Sequence, residues 1–202
     1  MDDWKKSGQA TAKARDYARS ICKENIPYIE LANKIEAKII ELGARPAFPV
    51  DVSANEMAAH DSPFPDDLRV VKKGDVIKID IGAHVNGYVT DTAVTIEVNT
   101  NKCTDLLKAS EEALEAATKL AVEAGTRICD IGAAISEKIK KYGFTPISNL
   151  SGHGLGQYVV HDKPTIPNYD NGDENKLGEG QHIAIEPFAT TGIGQVKEGK
   201  QA

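Results

Sequence analysis

The chain has 202 residues, 41% of them hydrophobic and 27% charged, a balance that fits a soluble globular protein of one large domain or two small ones. A net charge of −6 and a pI near 5.4 exclude a nucleic-acid-binding footprint at whole-chain level. No apolar run approaches the ~18 residues a membrane span needs, and the amphipathic N-terminus lacks a signal-peptide core.

Residues 2–23 and 27–42 each read as amphipathic helix. The first carries a weak basic excess at Lys5, Lys6, Lys13 and Arg15, read as a solvated face. The second is expected to start with Pro27 in its first turn. It carries Ile29, Ala32, Ile35, Ile39 and Leu42 at helical spacing and stops at Gly43. Over 76–97 the pattern switches to strand, with Ile77, Ile79 and Ile81 on one side. Asn86-Gly87 then turns the chain back into a second run from Tyr88 to Val98. Two further helices are expected, about 104–124 ending at Gly125 and 130–142 ending at Gly143; Lys138, Lys140 and Lys141 mark a solvated face. The remainder is strand and loop rich in Gly and Pro. Cys22, Cys103 and Cys129 are far apart with no CxxC, which predicts reduced cysteines in a cytoplasmic protein.

Two helices followed by strands, occurring twice, suggest internal duplication. At an offset of 100, Ile35/Ile135, Lys38/Lys138, Ile39/Ile139, Gly43/Gly143 and Pro46/Pro146 match. At an offset of 106, Gly74 to Asp80 lies on Gly180 to Glu186, and His60 and His161 fall at 101. Shared helix composition accounts for part of this; the ordered set of helix, stop, proline, histidine and strand-borne acid is harder to dismiss. Half-repeats of about 1–100 and 101–202 within a single domain are expected.

Four residues then draw attention. If Asn86-Gly87 is a two-residue turn, Asp80 lies opposite Ala93 and Asp91 is its diagonal neighbour on the same face. Two such carboxylates either share a cation or proton, or are solvated acids on an exposed face. His153 sits in Gly152-His153-Gly154, where glycines allow close backbone approach and are expected to leave the imidazole accessible. Glu186 ends the apolar run from His182 to Ile185, and an acid on a buried strand needs a cation, a proton or a hydrogen bond. Together Asp80, Asp91, His153 and Glu186 suit hard or borderline divalent metals better than a structural thiolate site.

Residues 46–60 (PAFPVDVSANEMAAH), 78–92 (KIDIGAHVNGYVTDT), 149–161 (NLSGHGLGQYVVH) and 186–190 (EPFAT) resemble methionine aminopeptidases. The Asn-Leu-Ser-Gly-His and Glu-Pro-Phe-Ala-Thr forms are similar to the archaeal branch of the second type, and the resemblance runs to about Val196. It implies an α+β "pita-bread" fold with pseudo-twofold duplication and removal of N-terminal methionine from nascent proteins whose second residue is small. The implied cofactors are two divalent ions (Co, Mn, Fe or Zn) with a bridging hydroxide. Asp80 would bind one metal, Asp91 would bridge both, and His153 and Glu186 would bind the other. His161 would hydrogen-bond the scissile peptide, His60 would help stabilise the transition state, and Phe48, Val160 and Phe188 would line the methionine pocket. His84 and His182 match no functional position and read as structural.

The family's fifth ligand, a bridging glutamate, has no clear counterpart. A tight hairpin after Glu186 would put it near Lys197, with Glu198 adjacent, whereas a helical insert would carry it beyond Ala202. The expectation is therefore a chain whose last strand and helical insert are missing. It would be weakly active or inactive alone and completed by a C-terminal segment or a second chain. Two other functions stay open: an Xaa-Pro peptidase of the same fold, and a non-catalytic binding protein that kept the fold.

Overall fold

The structure is a computed structural model in which residues 2–199 are described; the last three residues of the expected tail, 200–202, lie outside them. The chain divides into two units, Met1–Cys103 with Leu155–Val160, and Thr104–Gly154 with His161–Ala202.

The first unit opens with α1 (Asp2–Ile21) and α2 (Tyr28–Glu41). One face of α1 is small and buried, with Ala10, Ala14 and Ala18 at helical spacing. Beside them a polar stripe docks on a strand by hydrogen bonds, described below. In α2 the buried positions are Leu31, Ala32, Ile35 and Ile39, as the periodicity requires. Pro27 is not inside the first turn. It is the N-cap, extended at ψ 141°, because it also bridges Val70. The helix stops at Leu42, and Gly43 turns the chain out at φ +82°.

Four strands follow: β1 (Arg45–Pro46), β2 (Asp51–Ala54), β3 (Val76–Val85) and β4 (Tyr88–Glu97). β3 is central, pairing antiparallel with β4 on one side and with β1 and β2 along the other. Asn86 (φ +52°) and Gly87 (φ +84°) form the two-residue turn between β3 and β4, and the register puts Asp80 against Ala93 as the sequence predicts. Ile77, Ile79 and Ile81 are fully buried against the helices, in one cluster with Leu31, Ile35, Ile39 and Val52.

The second unit repeats the order with α3 (Thr104–Ala121) and α4 (Ile128–Lys141), then β5 (Thr145–Pro146), β6 (Ser151–Gly156), β7 (Val159–Pro167), β8 (Ile183–Ala184) and β9 (Ala189–Thr190). β6 lies between β7 and β8, and β5 pairs with β9. Its core gathers Ile128, Ile131, Ile135, Ile139, Ile166 and Leu177. α4 begins two residues before the expected start, since Arg127 caps it in the extended conformation that Pro27 adopts.

The duplication extends to individual hydrogen bonds. Tyr28 N bonds Arg69 O at 3.0 Å and Ile128 N bonds Asn175 O at 2.9 Å. Asn25 N bonds Val71 O and Gly125 N bonds Leu177 O, while Ala47 N bonds Gly82 O and Ile147 N bonds Phe188 O. Ser53 pairs with Lys78, and His153 with Ala184. In each case the first partner is offset by 100 and the second by 106.

Candidate metal and substrate site

In the first unit, Asp80 and Asp91 leave the same face of the β3–β4 hairpin, opposite the isoleucine face, with Asp91 paired to Gly82. Both are half-buried. Gly82 lets a ring lie flat on this surface: a Cβ there would lie 2.1 Å from Cε1 of Phe48, so the Phe48 ring covers the backbone between the two acids. On the far side of the strand carrying Asp91, α1 holds the flanking residues. Thr90 Oγ1 lies 2.7 Å from both Ser7 Oγ and Thr11 Oγ1, Ser7 donates to Ala83 O at 2.9 Å, and Arg15 donates to Thr92 at 3.2 Å. The hairpin is thereby fixed from behind.

His60 lies on the exposed segment after β2, in the left-handed region at φ +61°. Asp51, the Cα partner of Asp80, is only 7% exposed. Burial pushes its carboxyl above the usual range, opposed by the Ser62 hydroxyl and the His60 backbone N–H that donate to it. Val160 is half-buried in the Leu155–Val160 stretch of this unit.

In the second unit, β6 presses close to its neighbours. A Cβ on Gly152 would meet Ala184 O at 2.2 Å, and one on Gly154 would meet Lys163 O at 2.1 Å. The flanking glycines therefore serve strand packing. They do not expose the imidazole, because His153 is buried, at 8% exposure. Glu186 follows β8, which spans only Ile183–Ala184, so the expected strand to Ile185 is shorter. The His153 ring meets His161, which is exposed, edge-on at 4.4 Å. Phe188 is half-buried nearby in sequence, its carbonyl taken by Ile147 N. Glu198 is exposed in a segment without regular structure.

The decisive geometry is at His153. Its Nδ1 lies 3.0 Å from Gly154 O, which can only accept, so Nδ1 carries the hydrogen. In the neutral tautomer Nε2 then presents a lone pair, yet Glu186 Oε1 lies 3.0 Å from it. That carboxylate oxygen is buried and accepts no hydrogen bond. Lone pair facing carboxylate is repulsive unless a proton or a cation lies between them. An Nδ1–H anchored on a carbonyl with Nε2 turned to a carboxylate is the arrangement of a metal-ligating histidine. The residues present fit a divalent ion.

His84 Nδ1 accepts the Gly87 N–H at 3.1 Å in the hairpin turn, and burial lowers the pKa of His182. Asp51 and Ser62 escaped the sequence reading. The signal available was an acid between two valines, Val50-Asp51-Val52, on a stretch otherwise apolar.

Comparison with known proteins agrees with this picture. The model for metallopeptidase family M24 matches residues 2–201. A methionine aminopeptidase of Pyrococcus abyssi is 49% identical over 199 residues, covering 98% of this chain and 67% of its own length. The crystal structure of methionine aminopeptidase from Thermotoga maritima superposes with a TM-score of 0.89 at 30% identity, over 97% of this chain and 82% of that one. The prolidase of Pyrococcus furiosus follows at 0.78 and 30% identity, over 92% of this chain and 55% of that one. The chain belongs to metallopeptidase family M24, with the pita-bread fold. Within that family its sequence and fold group it with the methionine aminopeptidases, hydrolases of the aminopeptidase class. Among the described residues, no helix is long and apolar enough to cross a membrane.

Proposed function

We propose that this chain removes N-terminal methionine from peptides and nascent proteins whose second residue is small, in the cytoplasm. Asp80, Asp91, His153 and Glu186 serve as ligands for two divalent ions. Such ions, when bound, lower the pKa of water into the neutral range and polarise a carbonyl. The observation that carries the reading is the His153–Glu186 contact, with Nδ1 committed to Gly154 and a carboxylate 3.0 Å from Nε2.

The remaining roles belong to the chain's own groups. His161, edge-on to His153, hydrogen-bonds the scissile peptide, and His60 helps stabilise the transition state by hydrogen-bonding the oxygen that gains charge. Phe48, Val160 and Phe188 form apolar walls suited to an unbranched thioether.

Calorimetric titration with Co, Mn, Fe or Zn, followed by assay of Met-Ala-Ser against an Xaa-Pro peptide, tests this. Binding of divalent ions and release of methionine are expected. Glu186→Gln should weaken metal binding at least ~10-fold. Cleavage before proline, or metal binding indifferent to Glu186, would overturn the reading.

A further inference from the structure

We propose that Asp51 is a positioning residue for His60: its buried carboxylate fixes the backbone of residues 60–62 on β2 and so sets where the imidazole projects. The functional weight of this inference rests on the role given to His60 above; the contact itself does not.

Three consecutive residues of the segment are held by two of the strand. The His60 N–H and the Ser62 hydroxyl both donate to the Asp51 carboxylate, and Val52 N donates to Asp61 O at 2.9 Å. Among the described residues, Asp51 is the one carboxylate residue that is buried. A buried carboxylate is costly unless donors meet it, and the donors here come from the histidine segment itself. His60 at φ +61° adopts a backbone conformation that L-residues hold only where their surroundings impose it. Asp51 and Asp80 are directly opposite in an antiparallel pair, so their side chains leave one face of the sheet. Tying His60 to Asp51 therefore ties it to the face that carries Asp80.

Residues on either side of His60 are fastened separately. Asn55 O takes Lys78 Nζ at 2.9 Å, and Asn55 Oδ1 takes Val76 N at 2.9 Å. Asp61 takes Arg69 Nη1 and Nη2 at 2.7 and 2.8 Å, Asp67 takes Arg69 Nε and Nη2, and the guanidinium lies 4.9 Å over the Tyr28 ring. Losing the Asp51 contacts should therefore release the His60 amide and the Ser62 hydroxyl while Asn55 and Asp61 stay in place.

Residue-resolved amide exchange by NMR reads the contact directly, without requiring activity. In Asp51→Ala the His60 amide should exchange at least ~10-fold faster, with the amides of Ile77 and Ile79 unchanged. Asp51→Asn, whose amide oxygen still accepts, should restore most of the protection. Unchanged exchange at His60, or equal loss at Ile77 and Ile79, would overturn the proposal. In the metal-loaded protein, Asp51→Ala should lower kcat for Met-Ala-Ser about 10-fold, and have no further effect in a His60→Ala background. An equal loss in that background would likewise overturn it. A His60→Ala variant with full activity would instead overturn the role of His60, leaving the exchange result to judge Asp51.

Discussion

Glycines 82, 152 and 154 each have a neighbour where a side chain would start, but the neighbours differ in kind. At Gly152 and Gly154 the obstacle is a backbone carbonyl, which cannot give without parting strands; at Gly82 it is the rim of the Phe48 ring, which can rotate away. Gly154→Ala should therefore cost about 1–3 kcal/mol in denaturant unfolding and weaken metal binding at His153. Gly82→Ala should unfold closer to the parent and, if Phe48 lines the methionine pocket as proposed, instead raise KM for a methionyl peptide. Equal stability loss in both would contradict the distinction. Arg69 and Asp67 give an acid-side prediction. Hydrogen bonds from Arg69 hold the Asp67 carboxyl below its usual pKa. A depressed carboxylate stabilises the fold above the unfolded pKa of about 3.9, and that stability is lost as pH falls through the folded value. Stability measured from pH 6 down to 2 should therefore drop below about pH 4, and Arg69→Met should flatten that part of the curve.

At the scale of elements, α1 and β4 are joined by hydroxyls as well as by apolar packing. Thr90→Val removes the group that both Ser7 and Thr11 meet, and should cost about 1–3 kcal/mol by chemical denaturation. Combined with Ser7→Ala the total should fall short of the sum, since the two changes break one network. This docking was hidden in the sequence: Ser7 and Thr11 lie on a helix read as amphipathic, and nothing local tells a buried hydroxyl from a solvated one. The β3–β4 hairpin was legible to the residue, because Asn-Gly fixes both turn and register and Ile77, Ile79 and Ile81 fix the face. β1, β5, β8 and β9 were not, because a strand of two residues is defined by its partner, not by a pattern of its own. The same limit hid the inward turn of His153. Flanking glycines signal close approach, but the direction from which the neighbour comes is a tertiary fact.

For the molecule as a whole, the equivalent positions Ile35 and Ile135 are both fully buried, one in each hydrophobic cluster. Ile35→Val and Ile135→Val should each cost about 0.5–1.5 kcal/mol, and the double variant should show their sum. A marked departure from additivity in denaturant unfolding would mean that the two clusters do not behave as separate cores. The sequence offsets carry a further consequence. They hold at 100 as far as Ser53 and His153 and at 106 from Arg69 and Asn175 onward, so the whole six-residue difference falls in the stretch between. That stretch carries His60 in the first half, as an irregular segment, and His161 in the second, on a strand that pairs with β6. By confining all its added length to the histidine-bearing stretch, the duplicated chain keeps one hydrogen-bond frame in both halves and lets that stretch alone differ, so that one histidine rides on a loop and its counterpart on a paired strand.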